Sequence, residues 1–363
     1  MKLSLRVKQV HYGVCSQAFT VCCAAFTSLY VFGWSTHWTF DSATSSLFLQ
    51  NSYFTEQARS ILAGHLWIDP QAHPWECFFV DKKCYGYFGI APSVIRIPFL
   101  FLGGNEVFEN AALFISVASG IASWAGIDLC SRVIKSAGIQ QESWVPLGMM
   151  SAAILIGPAG LLMLLIDPYV YQESIAWSIA GTMIAVNFFW RWWHFRSDHL
   201  LLLATFAMVI ASGARPTSAF VGTVMALGSW CYLRTESSLT LRTHIVLTML
   251  AILPVMTTLA VMVLKFGSLL PPYETYQSRQ ALDFQQVLIM NPGLTNGFRN
   301  LPTTLFAYLR PDSIRLESTE PFVGFRFGNP RWSSEFDRIT YLPPLPPDSL
   351  YVERVASLTS LIP

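Results

Sequence analysis

Charge is what this 363-residue chain has least of. Asp, Glu, Lys and Arg together make up 12% of it, against about a quarter of a soluble globular protein. Such a composition cannot cover a water-facing surface. Neither sign is in excess: the net charge is +1 and the basic residues are scattered rather than striped, so no nucleic-acid partner is expected. Walker, dinucleotide-fold and hydrolase-elbow motifs are missing, and no internal repeat is evident. That excludes ATP-driven pumping within this chain, though not secondary transport. No Cys/His spacing resembles a zinc site, so no metal ligand is assigned, and whether a divalent cation serves as cofactor is left open. No small-x-small cleavage site precedes Asp41. The apolar run that follows Lys2, Arg6 and Lys8 therefore reads as a retained first span, about Val14 to Trp34, and not as a signal peptide.

What the chain has is length without charge. No Asp, Glu, Lys or Arg occurs from Gln9 to Thr39, and similar gaps run from Asn110 to Ile127, Ser143 to Ile166, Ser174 to Trp190, Leu200 to Ala214, Pro216 to Leu233 and Thr243 to Leu264. About 20 apolar helical residues cross a hydrocarbon core of about 30 Å. The expected fold is therefore an all-α polytopic membrane protein of about seven transmembrane helices, with a large first outer loop carrying amphipathic helices. Lys and Arg near span ends favour the cytoplasm, which puts the N-terminus inside. Threading the spans then places Arg132, Lys135, Arg191, Arg196, Arg234 and Arg242 on the N-terminal side, while the outer turn Asp167 to Gln172 has no Lys or Arg. The alternative is one long kinked helix from Leu200 to Leu233, which would invert everything after Gly213-Ala-Arg215-Pro216.

Two regions are expected outside the membrane, opposite the N-terminus. Residues 36–107 form a loop; residues 266–363 form a tail holding more than half of the 21 prolines. In the loop, Tyr53 to Leu66 has apolar residues at Phe54, Ala58, Ile61, Leu62 and Leu66, the spacing of an amphipathic helix. It reads either as a wall of an interfacial site or as a packing helix. Trp67, Trp75, Phe78 and Phe79 suit the headgroup zone, as does His194 within the belt Trp190 to Arg196. From His73 to Pro98 charged and aromatic residues alternate densely, then Gly89 and Pro92 break the backbone before an apolar run too brief to cross, the pattern of a re-entrant or interfacial segment. Cys77 and Cys84 lie close enough in sequence to close a short disulfide in an oxidising compartment. Cys15, Cys22, Cys23, Cys130 and Cys231 lie in or beside spans. The tail, punctuated by Leu342-Pro-Pro-Leu-Pro-Pro-Asp348, reads as extended, with one helical run at Thr303 to Leu309. Its ending, Val355 to Pro363, looks like the first turns of a helix that stops, so a shortened chain is expected.

The long outer loop, the Phe54-x-x-x-Ala58-Arg59 helix, the Gly64-His-Leu-x-Ile-Asp69 step and the run Tyr85-Gly-Tyr87-Phe-Gly-x-x-Pro-Ser93 resemble, in that order, bacterial, actinobacterial-type membrane glycosyltransferase-like proteins of the GT-C superfold. These are relatives of protein O-mannosyltransferases and lipid A aminoarabinose transferases. The resemblance covers residues 10–265, with 266–363 as an extracytoplasmic tail. It implies a multi-pass protein of the bacterial plasma membrane that takes a sugar from a polyprenyl phosphate at the outer face, with inversion at the anomeric carbon. Its partners would be membrane lipids and the lipid-linked donor.

In that superfold a loop carboxylate, often in an acidic pair, acts as general base. Aligning on Ala58-Arg59 puts the pair at Gln50-Asn51, and an amide cannot accept the acceptor's proton. Asp41 is the leading substitute, followed by Glu76 and Asp81; the alternative for each is a solvated loop acid. Gln50, Asn51 and Tyr87 remain as substrate contacts. A departing lipid phosphate needs fixed cations, for which Lys82, Lys83, Arg96 and Arg215 qualify. Arg215 could otherwise cap a hairpin, and Arg96 snorkel to a headgroup. Glu173 is either a functional acid awaiting a partner or an acid favoured by its helix's dipole. A non-catalytic protein on the same scaffold is the second reading and a secondary transporter the third. Ionisable residues gathered in the outer loop, with few inside spans, favour interfacial chemistry.

Overall fold

The protein is seen in a computed structural model that describes residues 2–35, 38, 53–69, 77–86, 88–101, 111–136, 170–233, 240–269, 276–277, 314–316 and 323–325. These residues are mostly helical. The helices are α1 (Lys2–Ser35), α2 (Tyr53–Leu62), α3 (Ala91–Phe101), α4 (Ala111–Ser136), α5 (Val170–Phe195), α6 (Asp198–Ala214), α7 (Ala219–Leu233) and α8 (Leu241–Phe266). Short strands are β1 (Cys77–Val80), β2 (Lys83–Tyr85), β3 (Tyr276–Gln277), β4 (Ile314–Leu316) and β5 (Val323–Phe325). Each expected span that falls in the described residues is a helix. The stretch Ser143 to Ile166, the Thr303 to Leu309 run and the end of the tail lie outside them.

Two helical segments, Ala111–Ile134 and Leu241–Phe266, are long and apolar enough to cross a membrane by length and composition; α6 falls just short. Many large apolar side chains face outward, among them Phe206, Phe220, Val224, Leu227, Ile252 and Leu264. The helices end on local chemistry. Thr240 caps α8 by accepting from the Thr243 N–H at 3.2 Å, and Gly267 closes it in the left-handed conformation at φ 67°.

Side-chain contacts fix the helix directions. Ser28 Oγ of α1 donates to the Ser116 carbonyl at 3.0 Å, and a Cβ on Gly120 would lie 2.0 Å from Ser28 Oγ and 3.1 Å from the Ala24 carbonyl, so α1 and α4 run antiparallel. Phe114 and Ala118 pack in one cluster with Ala176 and Trp177, while Asn187 Nδ2 donates to the Ala125 carbonyl at 2.9 Å. Helices α4 and α5 are therefore parallel neighbours. The end of α4 and the start of α5 therefore lie at opposite ends of the bundle.

The segment Leu200 to Leu233 is a hairpin. Thr258 of α8 meets the Ser212 carbonyl near the end of α6, whereas Thr223, early in α7, meets the Ala251 carbonyl. The chain thus runs along α8 in α6 and back against it in α7, turning at Arg215 (φ −135°, ψ 119°) and a 3-10 turn, Pro216–Ser218. Proline at the first position of that turn gives up no hydrogen bond, since its missing N–H would be unpaired there anyway.

Two ends result. One collects the C-termini of α1, α6 and α8 and the N-termini of α4, α5 and α7. The other carries Arg132, Arg191, Arg196 and Arg242. There Arg132 pairs with Asp128 at 2.7 Å, Arg242 with Asp198 at 3.3 Å, and Arg196 lies over the Trp193 ring at 5.0 Å.

Candidate functional site

The loop between α1 and α4 folds onto the first of these ends. Helix α2 begins at Tyr53, as the periodicity predicts, but stops at Leu62 and not Leu66. Gly64 takes φ +85°, His65 N–H donates to the Ser60 carbonyl and Gly64 N–H to the Ile61 carbonyl, both at 3.0 Å. This is the paired carbonyl closure that a left-handed glycine permits. The buried face of α2 lies against protein: Tyr53 and Phe54 cluster with Ile68, Cys84 and Phe88, and α2 packs on α3. Polar bonds complete that interface. Ser93 Oγ donates to Gln57 Oε1 at 2.7 Å, and Gln57 Nε2 donates to the Tyr53 hydroxyl at 3.1 Å.

One turn further along α3, Arg96 is completely buried. Its Nε donates to Glu173 Oε1 at 3.1 Å and its Nη2 to Glu173 Oε2 at 2.6 Å, a two-pronged pair, while Nη1 donates to Thr55 Oγ1. Its guanidinium carbon stands 4.0 Å from the centre of the Phe114 ring. Four elements, α2, α3, α4 and α5, meet on this one side chain. Expected from the sequence to face a phosphate or a headgroup, Arg96 is instead an internal brace, because Glu173 holds it where water does not reach. Glu173, expected to act at a helix terminus, is the other half of that brace.

Arg215 is different. It is half-buried at the reversal between α6 and α7; its Nε donates to Ser174 Oγ at 3.2 Å, and no carboxylate pairs with it among the described residues. Ser178 and Ser218 share a hydrogen bond beside it. Among the described residues Arg215 is thus a cation held at one point, with its terminal nitrogens free of an acid.

The strands form a hairpin with Asp81 and Lys82 at φ 50° and 64°. Positive φ at both central residues is the two-residue turn whose twist matches its strands. Asp81, Lys82 and Lys83 are all exposed. Burial and the Asp81 carboxylate push the Tyr85 hydroxyl above the usual phenol range, so it stays protonated. Strand β3, from beyond α8, pairs with β1, so loop and tail share one sheet in the order β2-β1-β3. Cys84 is buried and disulfide-bonded; the side chain of Cys77, its expected partner, lies outside the described residues.

Gly86, Phe88 and Gly89 are held from three sides. A Cβ on Gly86 would lie 2.0 Å from the Tyr53 hydroxyl, and one on Gly89 would lie 1.8 Å from the Gly213 carbonyl. Lys265, at the end of α8, donates to the Gly86 carbonyl at 3.0 Å and the Phe88 carbonyl at 2.6 Å.

Of the residues singled out from the sequence, Arg96, Glu173, Arg215, Asp81, Lys83 and Cys84 belong to this end of the molecule. Asp41, Gln50, Asn51, Glu76 and Tyr87 lie outside the described residues. Thr55, Gln57, Ser93, Ser174 and Lys265 were missed. Only Lys265 carried a signal, since a lysine closing an apolar run asks for a partner. Among the described residues no group of three His, Cys, Asp or Glu side chains could hold a metal ion. No family model, curated protein or solved structure matches the chain.

Proposed function

We propose that the chain is a polytopic membrane protein of about seven spans with a GT-C-like site, transferring a sugar from a polyprenyl-phosphate donor at the outer face of a bacterial plasma membrane. The observation that carries this reading is the sorting of the bundle's two ends. One end holds the folded first loop; the other carries Arg132, Arg191, Arg196 and Arg242. Lys and Arg in short connections close to span ends mark the cytoplasmic side, a rule that does not weigh a long loop such as residues 36–107. The outward-facing Phe206, Phe220, Val224 and Leu264 suit lipid better than water. The parallel pairing of α4 and α5 supports the remaining span, because a helix over Ser143 to Ile166 would make the return that pairing requires.

In this reading Asp41 takes the proton of the acceptor hydroxyl and the freed oxygen attacks the anomeric carbon. The bond from that carbon to the phosphate oxygen breaks with inversion, and the lipid phosphate leaves with the electron pair. Arg215, free of an acid partner among the described residues, would stabilise the departing charge. Lys83 on the exposed hairpin and Gln50, Asn51 and Tyr87 would contact donor or acceptor. Arg96 and Glu173 would hold the loop in place without touching substrate.

A second reading is favoured by one feature, the amides Gln50-Asn51 where the resemblance expects acids: the scaffold binds a lipid-linked glycan without reacting. The two part in a transfer assay with the purified full-length protein in lipid nanodiscs and a radiolabelled polyprenyl-phosphate sugar. Transfer by the wild type, lowered about 10²–10⁴-fold in Asp41→Asn as for loss of a general base, is the expected result. Unchanged transfer by Asp41→Asn removes Asp41 from the mechanism. Donor binding without transfer by the wild type favours the second reading.

A further inference from the structure

We infer that Lys265 is a positioning residue: by donating to the carbonyls that precede and follow Tyr87 in the chain, it fixes the Tyr85–Gly89 segment of the first loop on the tip of α8. A lysine ending a span would ordinarily extend its amino group into the headgroups. Lys265 instead turns inward and is 2% exposed. No carboxylate pairs with it among the described residues; it donates to the Gly86 and Phe88 carbonyls. Burying an ammonium without an acid is costly compared with a methionine of similar volume, so packing alone does not account for a lysine here. What a lysine supplies and a methionine cannot is two convergent donors.

Gly86, Phe88 and Gly89 belong to no strand or helix and are buried, so the Gly86 and Phe88 carbonyls accept from Lys265 where no ladder serves them. Next to Lys265, Phe266 meets Phe78 at 5.4 Å and Tyr85 at 5.9 Å between ring centres. Strand β3, ten residues or so further on, pairs with β1. The tip of α8 and the strand after it therefore hold the hairpin from both sides, with Lys265 as the polar fastening between them. The close approaches of Gly86 to Tyr53 and of Gly89 to Gly213 pin the same stretch to α2 and α6. A displacement along α8 would be passed directly to this stretch of the outer loop. The contact stands by itself; only the purpose of the positioned segment rests on the transferase reading.

Hydrogen exchange on the full-length protein in nanodiscs tests this without any donor or assay of transfer. In Lys265→Met, the amides of residues 84–90 are expected to exchange at least about tenfold faster, a local opening that leaves α5 and α6 protected as in the wild type. Lys265→Arg, which keeps donors for both carbonyls, is expected to retain slow exchange. A folded Lys265→Met with unchanged exchange overturns the inference. So does equal acceleration in both variants, which would make the volume of the side chain matter and not its donors. Should Lys265→Met not fold, Lys265→Arg and the wild type decide: slow exchange at 84–90 in both upholds the fastening, and exchange within seconds in either refutes it. A loss of transfer with exchange unchanged would count against the fastening alone, and loss of exchange protection in a protein that never transfers sugar would count against the transferase reading alone.

Discussion

Replacing Glu173 by alanine is expected to destabilise the protein by about 3–5 kcal/mol, the cost of breaking a buried ion pair by removing one member. Arg96 would keep its charge with no water to receive it, since both side chains are fully buried. Thr55 and the Phe114 ring would stay beside it, and neither neutralises a guanidinium. The effect should not stay local. Arg96 ties α2, α3 and α4 to α5, so the loop carrying α2 and α3 would loosen from the bundle together with the pair. Unfolding in mixed micelles, followed by helical signal, measures the change. The double variant Arg96→Met with Glu173→Leu is expected to recover most of the loss, because an apolar pair of similar volume carries no desolvation penalty. Wild-type stability in Glu173→Ala would mean that the brace does not form.

The second large effect falls on chemistry. On the proposed transferase reading, Arg215→Gln is expected to lower sugar transfer about 10²–10³-fold, the range seen when a fixed electrostatic donor is taken from a developing charge. Stability should hardly move. Among the described residues the side chain makes one hydrogen bond, to Ser174, and it is not wholly buried, so its loss is expected to cost about 1 kcal/mol. Separation of the two effects is the point of the variant: a large fall in turnover with an unchanged unfolding midpoint assigns Arg215 to the reaction, and a fall in both assigns it to the hairpin. Transfer at the wild-type rate would leave Arg215 as a cap on the turn between α6 and α7.

Much of the helical framework can be read along the chain because each helix is specified by its own residues. Long charge-free runs mark α1, α4, α5, α6, α7 and α8, and the amphipathic spacing from Tyr53 marks α2. The early stop of α2 is also local, yet easily overlooked: Leu66 continues the apolar pattern, but Gly64 adopts a left-handed turn that closes the helix first. What could not be read is pairing across distance. Arg96 and Glu173 are separated by 77 positions, and each alone has a sufficient ordinary explanation, one as a snorkelling arginine and the other as an acid at a helix start. Only the juxtaposition of α3 with α5 shows that they satisfy each other.

Lys265 escaped notice for a related reason. At the end of an apolar run it looks like a membrane-edge cation, and nothing in its neighbours announces that its acceptors are backbone carbonyls of Gly86 and Phe88. Backbone groups carry no sequence signature. The same holds for Gly89 and Gly213, whose close approach depends on what they lack. The hairpin between α6 and α7 lay between these extremes: Gly213 to Pro216 signals a break, but whether the chain bends or reverses is decided by α8, through Thr258 on one helix and Thr223 on the other.

The central claim is that the end bearing the first loop faces the outside and the end bearing Arg242 faces the cytoplasm. Single cysteines introduced at two exposed positions, Lys83→Cys and Arg242→Cys, in a background without the other accessible thiols, can be treated in intact cells with a membrane-impermeant maleimide. Labelling of position 83 in intact cells, with position 242 labelled only after permeabilisation, is the predicted result. Labelling at 242 from outside with protection at 83 would contradict the account.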